Sequence, residues 1–265
     1  MQQEILARLG SFVAALAVLG WLEAARPRRP RVASKARRWT ANLGIVAVDT
    51  LAVRLLVPLL PVALAALCQE KGLGLLPLLG LTGVGGLVLT LLVLDLAIYY
   101  QHRAFHHFRL LWRLHRMHHA DLDLDVTSAL RFHPGEILLS VVYKLALVAL
   151  LGPAPLAVLI FEVGLNVCAM FNHANVALPL ALDRAVRLAL VTPDMHRVHH
   201  STDMREANTN FGFNFPWWDR LLGTYKAQPD KGHENMVIGL NIFREPKFMD
   251  LWWMLAQPFL SGRNS

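Results

Sequence analysis

"LHRMHHAD" occupies Leu114–Asp121 and "MHRVHHST" occupies Met195–Thr202, and both contain His-Arg-x-His-His. The chain of 265 residues has only 12 histidines, and six of them fall in these two copies. On a helix, positions i, i+3 and i+4 share one face, so each copy presents three imidazoles from one surface. His115, His118 and His119 form the first set, and His196, His199 and His200 the second. A third group, His102 and His106 in "HRAFH", has the i, i+4 spacing of the same geometry. Eight imidazoles exceed what one tetrahedral or octahedral ion accepts, so two metals sharing one cage is the economical reading. By chance a five-residue window would match H-x-x-H-H roughly once in ten thousand, which makes two copies a specific signal. His107, beside His106, is the idle neighbour.

Outward from these motifs the chain is apolar. It is 55% hydrophobic and 17% charged, with a mean hydropathy of +0.39, a balance that belongs to membrane proteins. Residues 5–22 form a run long enough to cross a bilayer. A cleaved signal peptide is the rival reading, but Glu4 beside Arg8 and the Trp21-Leu22-Glu23 end do not suit one. A second run covers 43–68, broken by Pro58 and Pro61, and a third covers 74–98. Two shorter runs, 137–151 and 155–172, flank Gly152-Pro153-Ala154-Pro155 and are expected as a hairpin that enters and returns. The expected fold is an all-α integral membrane protein: about three transmembrane helices plus a helical hairpin, with a cytoplasmic histidine-rich helical cap.

Charge sets the expected orientation. Arg26, Arg28, Arg29, Arg31, Lys35, Arg37 and Arg38 crowd the loop between the first two runs, which places that loop in the cytoplasm. The Gln69–Gly72 turn then lies outside, and the third helix delivers the histidines back to the cytoplasmic face. Membrane orientation accounts for the net charge of +7, so no nucleic-acid partner is invoked. Asp49 and Arg54 lie deep in the second run, where unpaired charge is expensive. They are expected to pair within the bundle, the alternative being a polar end of a substrate cavity; the lining is otherwise expected to be apolar. Cys68 and Cys168 form neither a CxxC pair nor a disulfide framework and read as packing residues. The pairs Trp217-Trp218 and Trp252-Trp253 read as residues of the lipid interface.

Two stripes point at the cage. Asp95, Tyr99, His102 and His106 lie at i, i+4, i+7 and i+11, so a carboxylate and a phenol are expected to support the imidazoles. Glu162, Asn166, Met170 and His173 make a similar stripe on the returning arm of the hairpin, which makes His173 the expected ninth ligand. His133, in "RFHPGE" at the hairpin entrance, is expected just behind the ligands.

The order of these motifs resembles the fatty acid hydroxylase/sterol desaturase superfamily. The resemblance rests on His102–His106, His115–His119, Arg131–Pro134, Phe171–Asn175 and Pro193–His200, followed by Asn210-Phe211-Gly212 and Trp218–Tyr225. It covers about residues 35–226, with small departures at Leu222, where Phe is common, and at Gly135, where Leu is common. The resemblance implies a non-haem di-iron membrane oxygenase that uses O2 and two electrons to hydroxylate or desaturate a lipid C–H bond. It implies two iron ions, for which zinc can substitute in purified protein, and Asn175 as a further supporting residue. The electron donor is expected to be a separate protein, ferredoxin or b5-type, and the loop charges put the expected site on the cytoplasmic face of a bacterial inner membrane. The expected division is 1–39 for the first helix and basic loop, 40–226 for the catalytic domain, and 227–265 for an interfacial tail.

Other classes fit less well. No HExxH supplies the general base of a zinc protease. A metal transporter would carry its ligands deep in the spans. "FHPGE" is similar to the haem motif of cytochrome b5, but that domain's second haem histidine is not matched. A non-catalytic metal-binding module remains the alternative reading.

Overall fold

Helix boundaries fall at the breakers. In the computed structural model, which describes residues 2–261, α1 spans Gln2–Ala25 and stops at the Arg- and Pro-rich loop. Helix α2, Lys35–Leu56, starts where the Ser34 hydroxyl accepts from the Arg37 amide, and it ends ahead of Pro58. Helix α3, Pro61–Glu70, takes Pro61 as its first residue. The third apolar run does not form one helix. A single turn, α4 (Leu75–Leu78), is cut off by Gly80 and Gly83, both at positive φ, and α5 then runs from Gly83 to His107. It carries the first histidines on its last two turns. Phe108, in extended conformation, separates α5 from α6, Arg109–His119.

Helices α7 (Pro134–Leu151) and α8 (Pro155–His173) each begin with Pro at the first turn. Gly152 between them is left-handed, at φ +61, and sits against Leu73 and Gly74. A Cβ on Gly152 would stand 2.0 Å from the Leu73 carbonyl oxygen, so no larger residue fits. Short helices follow: α9 (Leu180–Val186), α10 (Pro193–His199), α11 (Met204–Ala207), α12 (Trp217–Leu221), α13 (Gly232–Asn235) and α14 (Leu251–Ala256). No β-strand occurs among the described residues.

Among the described residues five segments are long and apolar enough to cross a bilayer: Gln2–Ala25, Lys35–Leu78, Gly83–His107, Pro134–Leu151 and Pro155–His173. At 1.5 Å per residue α7 and α8 reach roughly 27 Å, long enough for a full crossing in each direction, which gives the same sidedness as the expected hairpin. Leu6, Val13, Leu51 and Leu55 stay exposed on α1 and α2, an outer face suited to lipid rather than water. Inside, α8 is the central post. Its Ala169 and Met170 pack with Ala15, Leu19, Val126 and Ala129.

The basic loop is not free. Its backbone is tied to the segment after α8, with Arg28 N donating to Asn175 O at 3.0 Å and Ala177 N to Arg26 O at 2.9 Å. Arg28 pairs with Asp194 and Arg37 with Asp250. Arg38 is fully buried, bidentate to Asp121 at 2.6 and 2.8 Å, and reaches Asp125 at 2.5 Å. Burial alone would raise the Asp121 carboxyl, but the Arg38 guanidinium outweighs it and holds the group down at about 2. The residues after 226, expected as a tail, fold back on α6 and α2. Arg113 and Arg116 of α6 donate to the Pro258 and Leu260 carbonyls at 2.6 and 2.7 Å, and Met254 is buried with Ile45 and Met117.

Candidate metal centre

Four helices bring the imidazoles together. Phe108 ends α5, and α6 packs against it so that His102 faces His115 and His106 faces His119. The second copy of the motif sits on α10, which Thr192 caps and Pro193 and Asp194 open, and its C-cap is His200. His173, the last residue of α8, points into the same space.

The result is two groups. His102, His106, His115, His119 and His199 have ligand atoms within 4.8 Å of one another, and so do His118, His173, His196 and His200. All nine anticipated imidazoles are in these groups. Nε2 to Nε2 distances are 3.1 Å for His102–His115, 3.0 Å for His106–His119 and 3.0 Å for His199–His102. In the second group His173 lies 3.1 Å from both His118 and His196. The groups abut, with the His119 and His200 rings stacked at 4.5 Å.

Hydrogen bonds on the far side of the rings fix which nitrogen faces inward. Nδ1–H of His102 donates to Phe211 O, of His199 to Thr209 O and of His173 to Ala169 O, all at 2.7–2.8 Å. His115 Nδ1 donates to the Glu136 carboxylate at 2.7 Å, and His106 Nδ1 to Asn208 Oδ1 at 3.3 Å. The proton on Nδ1 leaves the lone pair on Nε2. Burial first, and neighbouring imidazoles second, push His115, His118, His119, His196, His199 and His200 far below the ordinary histidine range, so they are neutral. Converging neutral lone pairs repel unless a cation lies between them. Nitrogens about 3 Å apart also match neighbouring ligands on bonds of roughly 2.1 Å at close to a right angle. The residues therefore fit a pair of metal ions.

The residues expected to support the cage are displaced from it. Asp95 accepts from Trp218 Nε1 at 2.8 Å and from Phe215 N at 3.3 Å, and touches no imidazole. Trp218 thus serves the bundle interior, whereas Trp252 is exposed as expected of an interfacial residue. Tyr99 bonds Thr224 at 2.7 Å and meets the cage only through Phe211. Asn175 secures the basic loop, giving Nδ2 to Arg29 O and accepting from Arg29 N. His133 caps α7 by accepting from Gly135 N and belongs to neither group. His107 is exposed.

Other residues do the supporting. Glu136 lies one turn into α7 and holds His115. Asp219, buried, accepts from Phe211 N, Gly212 N and the Thr224 hydroxyl at 2.7–2.8 Å, so it shapes the loop whose Phe211 carbonyl holds His102. Burial pushes Asp219 up to about 6 against those donors. A Cβ at Gly212 would come 2.8 Å from Phe215 O and 2.9 Å from Asp219, which accounts for the glycine of "NFG". The sequence signal for Asp219 was its place in "WDRLLGTY"; for Glu136 it was a lone acid opening an apolar helix.

Against His102 and His115 opens a cavity of about 510 Å³. Phe105, Phe132, Ile137 and Phe213 line it near the imidazoles. The expected apolar lining is incomplete: the carboxyls of Asp49 and Glu136, the cations Arg8, Arg54 and Lys144, and the amides of Gln101 and Asn166 also reach the wall. The expected pairing of Asp49 and Arg54 within the bundle is not found: Asp49 Oδ1 is buried without a partner, Arg54 is exposed with no ion pair among the described residues, and both line the cavity. Arg8 and Lys144 both bond Glu162, each at 2.7 Å.

The sequence model of the fatty acid hydroxylase family matches residues 87–224, just over half of the chain. Ornithine lipid hydroxylase of Rhizobium tropici is 35% identical over 65% of this chain and 50% of its own length. Alkylglycerol monooxygenase of Homo sapiens is 28% identical over 58% of this chain and 33% of its own. A very-long-chain aldehyde decarbonylase of Oryza sativa subsp. indica is 26% identical over 53% and 23%. The chain spans half or less of the length of these relatives. No solved structure matches.

Proposed function

The chain belongs to the fatty acid hydroxylase family, and on that premise we propose that it is an O2-dependent, non-haem di-iron oxidoreductase that hydroxylates a C–H bond of a membrane lipid. The observation that carries this reading is the convergence of nine imidazoles, in two adjoining groups, on one end of a cavity inside an apolar bundle. His102, His106, His115, His119 and His199 would hold one iron, and His118, His173, His196 and His200 the other. When bound, the iron pair supplies the binding and reduction of O2. Zinc competes for the same imidazoles.

The chain's own residues supply place and order. Only the first group borders the cavity, through His102 and His115, so the reacting carbon is presented on that side. Phe105, Phe132 and Phe213 exclude water there. Glu136 and the carbonyls of Phe211 and Thr209 hold three of the five rings, limiting the reorganisation that turnover requires. Overall, C–H, O2, two electrons and two protons give C–OH and water. The electrons come from a separate ferredoxin or b5-type protein. Loss of a second hydrogen instead of oxygen transfer would give a desaturated product.

Sidedness follows from contact. The basic loop pairs with elements of the cage through Arg28–Asp194 and Arg38–Asp121, so the two share one face. Seven cations between the first two apolar runs, four in the loop and three on the first turn of α2, support a cytoplasmic site, on a bacterial inner membrane. Residues 40–226 form the catalytic domain. Of the lipid classes a bilayer offers, the names of the relatives favour a substrate with a polar head group over a sterol, hopanoid or carotenoid. The test compares total lipids of cells with and without the protein, supplied with a competent reductase and isotopically labelled O2. A labelled hydroxylipid is expected. Matching lipid profiles with iron bound would leave a metal-binding module without turnover.

A further inference from the structure

Around the cavity the long helices stand in the order α1, α8, α5, α7 and α2, each packed on the next. α1 and α2 would complete the ring, but they have no comparable packing. They approach each other near the cap, where a Cβ at Gly20 would stand 3.5 Å from the Trp39 ring. Their polar ties go elsewhere: Arg8 of α1 binds Glu162 of α8, Glu23 accepts from Val126 N and Asn175 N, and Arg38 of α2 binds Asp121 and Asp125. The cavity wall shows the same gap. Thr50 and Arg54 of α2, Leu60, and Asn166 of α8 line it and are exposed, whereas His102, Phe105 and Glu136 at the imidazole end are buried. Leu51 and Leu55, next to Thr50 and Arg54, point outward at 58% and 73% exposure, so the mouth stands at the depth of the lipid. Water would drive such apolar flanks together, but lipid tails are as apolar as leucine and leave a cleft between helices open and filled. A volume of about 510 Å³ encloses a drug-sized molecule and not a whole two-chain lipid.

We propose that the cleft between α1 and α2 is a lateral portal through which a membrane lipid enters the cavity. Part of the lipid stays in the bilayer, between the two helices, while the reacting carbon lies at His102 and His115. Substrate and product then exchange with the membrane directly, and no soluble lipid carrier is needed. Thr50 stands on the rim, and Leu51, one residue on, faces lipid outside the wall. This rests on the lipid-oxygenase reading and deepens it.

The experiment uses the full chain in nanodiscs, loaded with zinc, so that entry is read without turnover. The probes are two single-chain phospholipids carrying a photoactivatable diazirine, beside the head group in one and at the chain end in the other. At least one is expected to label Phe105 or Ile137 of the cavity wall, in a way that excess unlabelled lipid competes away, as mapped by mass spectrometry. The portal is then closed after folding. Thr50→Cys, in a chain with Cys68→Ala and Cys168→Ala, is modified by a benzyl methanethiosulfonate, and Leu51→Cys serves as the lipid-facing control. Modification at Thr50→Cys should cut cavity labelling at least about tenfold, with zinc content unchanged and labelling restored when a thiol reductant removes the plug. Modification at Leu51→Cys should leave it as in the wild type. Unchanged labelling with Thr50→Cys plugged overturns the portal, as does an equal loss at Leu51→Cys or the absence of competable cavity labelling in the wild type. Should Thr50→Cys fail to fold, Val53→Cys takes its place with the same outcomes. Iron-loaded protein with a reductase then separates the two readings. Plug-sensitive labelling without any product sinks the oxygenase and keeps the portal, while product formation undiminished by the plug keeps the oxygenase and sinks the portal.

Discussion

His199 and His118 belong to different imidazole groups, so single substitutions tell the two halves of the cage apart. Reductively purified protein is expected to carry about two iron atoms per chain, and His199→Ala or His118→Ala should each lower that toward about one. Metal analysis by mass spectrometry checks this; unchanged iron in both variants would refute the shared cage. Glu136→Ala should weaken the site of the five-histidine group about 10–100-fold, the usual effect of removing a carboxylate behind a ligating imidazole. Competition with a chelator reads that loss, and the four-histidine site should keep its affinity. His107→Ala should change neither. At this scale the imidazoles were legible because helical spacing encodes a shared face, and nothing else in the chain writes H-x-x-H-H. Their supports were not legible. Three of them are main-chain carbonyls, at Phe211, Thr209 and Ala169, and every residue carries a carbonyl. Asp95 sat on the right stripe, but Trp218, 123 positions away, claims its carboxylate.

Arg38 joins α2 to the loop after α6, and it is the one cation of the basic loop that is fully buried. Removing it strands Asp121 and Asp125 in the interior. Arg38→Ala is expected to destabilise the protein by about 3–5 kcal/mol, more than a surface arginine would, and Asp121→Asn should recover part of the loss. Thermal unfolding in detergent measures both. Asp219→Ala should loosen the turn at Asn210–Gly212 and release His102 from its carbonyl, lowering metal affinity without touching a ligand. The helices themselves could be read from apolar runs and prolines, which act locally. The split of the third run was missed because hydropathy sees the leucines of "GLGLLPLLGLTG" and not the positive φ angles at Gly80 and Gly83. The fold-back of residues 244–260 was missed for another reason: its anchors are carbonyls accepting from Arg113 and Arg116, and the tryptophans suggested lipid instead.

Across the whole molecule the test is sidedness. Reporter fusions after Gly72 should read outside, and fusions after Ala120 or Lys226 should read cytoplasmic; an external signal after Ala120 would refute the orientation. Charge along the chain made that expectation possible. The polar wall of the cavity was hidden from the sequence because it gathers Asp49, Gln101 and Glu136 from three separate helices, each with an ordinary local setting. The order in which the cage is written into the chain has a final consequence. α10 and its C-cap His200, with three of the nine imidazoles, are synthesised after all the candidate spanning segments, and Leu260, which accepts from Arg116 of α6, later still. Until residue 200 leaves the ribosome, the other six histidines face an unfinished chamber. The cage of nine imidazoles is therefore complete only after every spanning segment has been made.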